Sequence, residues 1–89
     1  MSPGDRPRFG KGVKLRREES GTVMLLVPEG ALTLNPPAAA ALELLDGQRT
    51  FGQIVAGIVE RFDVPAETAA RELAELFERL RERGFILAS

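Results

Sequence analysis

Few side chains in this sequence could carry out chemistry. The 89 residues include neither histidine nor cysteine, which excludes disulfides, thiolate or imidazole metal sites, cysteine nucleophiles and the usual neutral-pH general base. The remaining hydroxyls are four threonines and the serines Ser2, Ser20 and Ser89. Ser20 stands beside Gly21 in a predicted turn, and no serine has a base to activate it. We therefore predict that the protein is not an enzyme and uses no cofactor.

Length and charge narrow the classes of partner. A chain of 89 residues fits one domain, and 44% hydrophobic with 28% charged residues is typical of a globular protein. The formal net charge of −1 gives no positive field for nucleic acid or anionic lipid. The longest apolar stretch, residues 23–28, is too short to span a membrane, and no signal peptide is visible, so a cytoplasmic location is expected. Partners must be recognised through local contacts.

Three strands are predicted in the first half of the chain. Residues 1–12 are rich in proline, glycine and charge, which predicts a flexible N-terminal arm ahead of a domain over residues 13–89. Residues 13–16 alternate apolar and polar, residues 22–27 are apolar on both faces, and residues 31–34 alternate again. These patterns favour a three-stranded antiparallel meander with the second strand in the middle.

Three helices are predicted to follow. Asn35 is suited to cap a helix over residues 36–45, which Asp46-Gly47 should end. Thr50 opens the second helix through a capping box with the glutamine three residues later. The third helix is predicted over residues 65–83. Its apolar stripe consists of Ala66, Ala69, Leu73, Leu76, Phe77 and Leu80.

The apolar residues 85–87 are then expected to fold back onto the core. The predicted fold class is therefore α+β: a three-stranded antiparallel meander followed by three helices.

Several segments, in order and at similar spacing, resemble the PqqD family. They are Arg6-Pro7-Arg8, Gly12-Val13-Lys14-Leu15, Leu25-Leu26-Val27-Pro28-Glu29, Leu34-Asn35, Leu42-Glu43-Leu44-Leu45-Asp46-Gly47, Ile54-Val55, and Leu80 with Gly84. Leu45 stands where cysteine is common in the family, and Glu72-Leu73 where Asp-Val is expected. The resemblance implies a winged-helix-like peptide-recognition domain that binds the precursor peptide PqqA. It further implies that the domain presents PqqA to PqqE, a radical S-adenosylmethionine enzyme.

The physical basis of such binding would be strand addition. An edge strand carries unpaired amides and carbonyls with which an extended peptide can pair. The third predicted strand, Ala31, Leu32, Thr33 and Leu34, is the candidate edge, and the resemblance places the third helix beside it. The alternative is that Leu32 and Leu34 are core residues.

On the third helix, one margin of the apolar stripe is the candidate peptide surface. Ala74 and Phe77 would form a shallow groove there, and Arg71 and Arg81 could receive acidic side chains of a peptide. The alternatives are a buried Phe77 and solvated arginines.

Two other functions stay open at this point. The second and third helices could form a DNA-binding helix-turn-helix, although the glutamates of the third helix oppose approach to phosphates. A self-associating adaptor is the other possibility, because an exposed edge can pair with its own copy. A monomer or weak homodimer that binds neither nucleic acid nor membrane is the favoured interpretation.

Overall fold

The three predicted strands and three predicted helices form the body of the fold. The structure, a computed structural model, describes residues 1–88, so Ser89 lies outside the described residues. The α+β class and the order of a meander before the helices are confirmed. The elements are β1 (Pro7–Phe9), β2 (Lys14–Arg17), β3 (Val23–Val27), β4 (Gly30–Leu34), α1 (Pro36–Glu43), α2 (Phe51–Phe62), α3 (Ala66–Glu82) and β5 (Ile86–Ala88).

The main sheet has the order β2-β3-β4 and is antiparallel throughout, with β3 in the centre as predicted. Its inner face buries Val23, Leu25 and Leu34 against the helices. Because side chains alternate along a strand, Met24 and Leu26 point to the opposite face, where they are only partly covered.

Side-chain caps fix where two helices begin. The Asn35 carboxamide oxygen accepts the amide of Ala38 at 2.9 Å, and Thr50 forms the predicted capping box with Gln53. Such a cap typically stabilises a helix by about 1 kcal/mol. None of the three helices within residues 1–88 has the length and apolar character needed to cross a bilayer.

The end of α1 differs from the prediction. The helix stops at Glu43, before Asp46-Gly47, so that pair is not its stop signal. The Asp46 carboxylate instead accepts the amides of Gln48 and Arg49, each at 2.8 Å. Gly47 has a φ of 77°, and its amide donates to the Pro7 carbonyl. The Asp-Gly pair therefore shapes a loop that holds the N-terminal segment.

The N-terminal twelve residues contain a strand that the sequence did not reveal. β1 pairs antiparallel with β5, and Pro7 is fully buried. The expectation of an arm without regular structure is therefore wrong for Pro7–Phe9. As predicted, Phe85 and Ile86 return to the core, whereas Leu87 is exposed.

The core lies between the inner sheet face and the three helices. Phe51 and Phe77 meet edge to face with ring centroids 5.3 Å apart, an arrangement that adds about 0.5–1.5 kcal/mol beyond area burial. The largest completely buried side chains are Phe77, Leu25, Leu42, Ile54, Ile58, Ile86 and Pro7.

Candidate functional site

A groove of about 540 Å³ opens between β4 and α3. Its apolar floor includes Leu34, Ile58 and Leu73, which are buried residues at the edge of the core. A cavity of this size is within the range of ligand sites. The full lining is Thr33, Leu34, Asn35, Pro37, Ala38, Ile58, Val64, Pro65, Thr68, Ala69, Glu72, Leu73, Glu75, Leu76 and Arg79.

One wall of the groove is a strand edge. Within residues 1–88, β4 pairs with β3 alone, and Ala31, Leu32 and Thr33 are all exposed. This side of β4 is consequently available to another strand.

The turn between β3 and β4 determines which amides of β4 point outward. Val27 and Gly30 are partners across a two-residue turn, so this closing pair exchanges backbone hydrogen bonds. Hydrogen-bonded and non-hydrogen-bonded pairs alternate along an antiparallel ladder. The amide of Leu32 therefore points to β3, whereas the amides and carbonyls of Ala31 and Thr33 point away from the sheet.

The opposite wall is one face of α3. Thr68, Glu72, Glu75 and Arg79 recur at spacings of three and four residues, which places them in one row along the helix. Two carboxylates and one guanidinium give this rim a formal charge of −1. The groove thus offers backbone pairing on one side, ionic and hydrogen-bonding groups on the other, and an apolar floor between them.

The structure brings the strand half of the predicted site together and separates the helix half from it. Thr33 and Leu34 line the groove, and Ala31 and Leu32 belong to the same edge strand. None of the predicted α3 residues, Arg71, Ala74, Phe77 and Arg81, is part of its lining.

Each of those α3 residues has another environment. Phe77 is completely buried, which is the alternative that the sequence left open for it. Ala74 packs partly buried against the core, Arg71 is exposed, and Arg81 donates to Glu78 at 3.4 Å. At about 100° per residue, Ala74, Phe77 and Arg81 lie on the far margin of the apolar stripe from the groove, whereas Arg71 lies on the exposed back of the helix, one turn before Glu75.

The N-terminal segment contacts α3 near that margin. Met1 packs against the core, and its amino group lies 2.9 Å from Glu78 Oε1. The hydrogen bond from this amino group lowers the pKa of the Glu78 carboxyl. Sequence analysis missed the groove residues Thr68, Glu72, Glu75 and Arg79, although their regular spacing beside the stripe is a detectable signal.

No arrangement among residues 1–88 indicates a metal centre, since no three acidic side chains converge there.

The chain is thus an α+β domain in which a three-stranded meander precedes three helices and the β4 edge of the meander lies beside the third helix. The same fold occurs in the solution structure of the PqqD part of PqqCD from Methylobacterium extorquens, a stand-alone recognition element for ribosomally synthesised and post-translationally modified peptides. The TM-score is 0.81 at 28% sequence identity, and the match covers 98% of this chain and 94% of that chain.

The amino-acid sequence also matches PqqD proteins. Residues 22–86 match the family model described as coenzyme PQQ synthesis protein D (PqqD). The chain belongs to the PqqD family. It is 36% identical over 83 residues to a PqqA binding protein of Azotobacter vinelandii, covering 92% of this chain and 89% of that one. It is also 32% identical over 80 residues to a PqqA binding protein of Rhizobium meliloti, covering 89% and 82% respectively.

Proposed function

We propose that this protein is a non-catalytic peptide chaperone that binds the precursor peptide PqqA as an additional strand on β4 and presents it to the radical S-adenosylmethionine enzyme PqqE. The observation that carries the proposal is the open edge of β4 beside the groove of α3. The PqqA-binding relatives supply the identity of the peptide.

Backbone pairing would supply part of the affinity without reading the peptide sequence. The outward amides and carbonyls of Ala31 and Thr33 provide four hydrogen-bonding groups, each contributing about 0.5–1.5 kcal/mol net when paired. Because these groups are already fixed in the sheet, only the peptide loses backbone freedom on binding.

Side chains would supply the selectivity. Peptide residues opposite Leu32 and Leu34 share the inner face of the sheet with them, so alternate peptide side chains point toward the groove. The apolar floor favours aliphatic or aromatic side chains at those positions. The residues between them face solvent on the outer side of the sheet.

This mode of binding suits presentation to an enzyme. The peptide is held along one edge by a short strand, so the flanking parts of its chain stay accessible. Since the sequence has no histidine or cysteine, the chemistry is assigned to the partner enzyme.

Titration of the isotope-labelled domain with synthetic PqqA tests the docking site. Amide shifts should change along Gly30–Leu34 and along the groove row Thr68, Glu72, Glu75 and Arg79. Saturable binding whose shifts avoid both β4 and this row would refute strand addition at this edge. Mixing the domain, PqqA and PqqE should yield a ternary complex, and the domain alone should leave PqqA unmodified.

A further inference from the structure

A second cavity of about 360 Å³ lies beside the groove and carries the opposite charge. It opens where the turn between β2 and β3 approaches α1 and the last turn of α2. Arg17, Arg61 and Glu43 contribute its charged groups, so its formal charge is +1.

The two guanidinium groups of this cavity differ in whether they already form an ion pair. Arg17 donates to Glu43 Oε1 at 3.2 Å. Arg61 takes part in none of the ion pairs formed within residues 1–88, and its guanidinium carbon lies 5.3 Å from the centroid of the Phe62 ring. A guanidinium held over an aromatic ring keeps its N–H groups directed sideways, where a carboxylate can accept them.

Leu34 connects the second cavity with the groove, because it lines both. An extended chain advances about 3.3 Å per residue, so a peptide paired with β4 that continues past Leu34 would reach the second cavity within a few residues. It would pass over Asn35 and Pro36, which are exposed.

We propose that the second cavity binds an acidic side chain of the same peptide that pairs with β4, with Arg61 as the main partner and Arg17 as the second. The proposal rests on the proposed function, because it assumes a peptide on β4. The groove has a negative formal charge and the second cavity a positive one. Electrostatics therefore favour a placement of the peptide in which its acidic residue lies just beyond Leu34.

An aspartate scan of PqqA tests the proposal. Each position outside the segment that pairs with β4 is replaced by aspartate and, separately, by asparagine, and both peptides are titrated calorimetrically against the wild-type domain and Arg61→Glu. At one or two neighbouring positions, aspartate should bind the wild-type domain about two- to fivefold more tightly than asparagine, as expected for a contact with an exposed arginine. In Arg61→Glu this preference should reverse.

Arg83→Glu is the matched control. Arg83 also lies at a helix C-terminus, is exposed and lines neither cavity, so this variant should retain the aspartate preference. Thermal melts verify that each variant is folded. If the charge reversal at position 61 lowers the melting temperature, Arg61→Ala replaces it and should abolish the preference. A separate triaspartate peptide at equal concentration should not compete, and competition would overturn the assignment to the same peptide.

The two proposals fail in different ways. If asparagine peptides bind the wild-type domain but no aspartate preference depends on Arg61, the second cavity does not receive an acidic side chain and strand addition still stands. If no version of PqqA binds the wild-type domain, both proposals are refuted.

Discussion

Leu25 and Leu32 are direct partners across β3 and β4, yet Leu25 is completely buried and Leu32 is 42% exposed. Both side chains point to the inner face of the sheet. The helices cover this face under the central strand β3 but leave the edge strand β4 partly open. A peptide strand added to β4 would cover the exposed part of Leu32 and gain apolar burial at about 25 cal/mol per Å².

Proline substitutions at Leu32 and Thr33 should have opposite effects. The Leu32 amide bonds to β3, so Leu32→Pro should remove a ladder hydrogen bond and lower the melting temperature. The Thr33 amide points away from the sheet, so Thr33→Pro should melt near the wild-type temperature and lose PqqA binding. Thermal melts and calorimetric titration measure the two effects.

Thr33→Ala is the control, because it removes the side chain but keeps the amide. It should bind PqqA within about threefold of wild type, since no backbone hydrogen bond is lost. Normal binding by a folded Thr33→Pro would mean that β4 is not the docking edge.

Charge reversal at Arg79 and Arg81 should separate the two margins of α3. The two side chains project roughly 160° apart on the helix, and only Arg79 lines the groove. Arg79→Glu should change PqqA affinity by about two- to fivefold, in the range of an exposed charge contact, whereas Arg81→Glu should leave it nearly unchanged. A larger effect at Arg81 would mean that the peptide contacts the margin of α3 with Ala74 and Arg81, as the sequence predicted.

Local patterns were sufficient to predict the meander, its central strand and the caps of α1 and α2. The turn residues, the two-residue alternation over β4 and the Thr50–Gln53 capping box act within a few residues of one another. Such short-range patterns can be recognised in a single sequence.

Contacts between distant parts of the chain could not be predicted from the sequence. β1 and β5 are three-residue strands at opposite ends of the chain, and each is strand only because the other pairs with it. The groove margin of α3 was missed for a related reason. Both margins of its stripe carry charged residues, and which margin lines the groove depends on the placement of β4 beside α3 in the folded chain.

Phe77→Leu should reduce stability without reducing peptide affinity. Phe77 is completely buried against Phe51, so shortening the ring should cost roughly 1–2 kcal/mol of unfolding free energy. Leu76→Ala is the matched neighbour, because Leu76 lines the groove and is only partly buried. It should weaken PqqA binding about tenfold if its side chain contacts the peptide. Denaturant melts and calorimetry distinguish the two losses, and a greater affinity loss for Phe77→Leu would contradict this placement.

The loop after α1 should make a pH-dependent contribution to stability. Hydrogen bonds from the amides of Arg49 and Gln48 hold the pKa of the Asp46 carboxyl below its ordinary value of 3.8. A folded-state pKa below the unfolded one means that this contribution is present above about pH 4 and is lost as the pH falls through the folded-state value. The difference in melting temperature between wild type and Asp46→Ala should therefore be largest at neutral pH and shrink in acid. Glu29→Ala, in an exposed turn, should give a curve parallel to wild type, and a difference for Asp46→Ala that grows in acid would reverse the assigned sign.

Gly10→Ala should destabilise the joint between the two ends of the chain. The Gly84 carbonyl occupies the space that a Cβ at Gly10 would need, and the Gly10 amide donates to the Phe85 carbonyl at 2.8 Å. The alanine methyl would push two backbone segments apart next to the β1-β5 pair, which should cost about 1–3 kcal/mol. Gly4→Ala is the control, because nothing lies within 4 Å of its added Cβ, and it should unfold at the wild-type denaturant concentration. Hydrogen exchange of the β1 and β5 amides should be faster in Gly10→Ala than in wild type, whereas the amides of the β2-β3-β4 sheet should exchange at the wild-type rate. Equal stability of Gly10→Ala and Gly4→Ala would show that the N-terminal segment does not depend on this close approach.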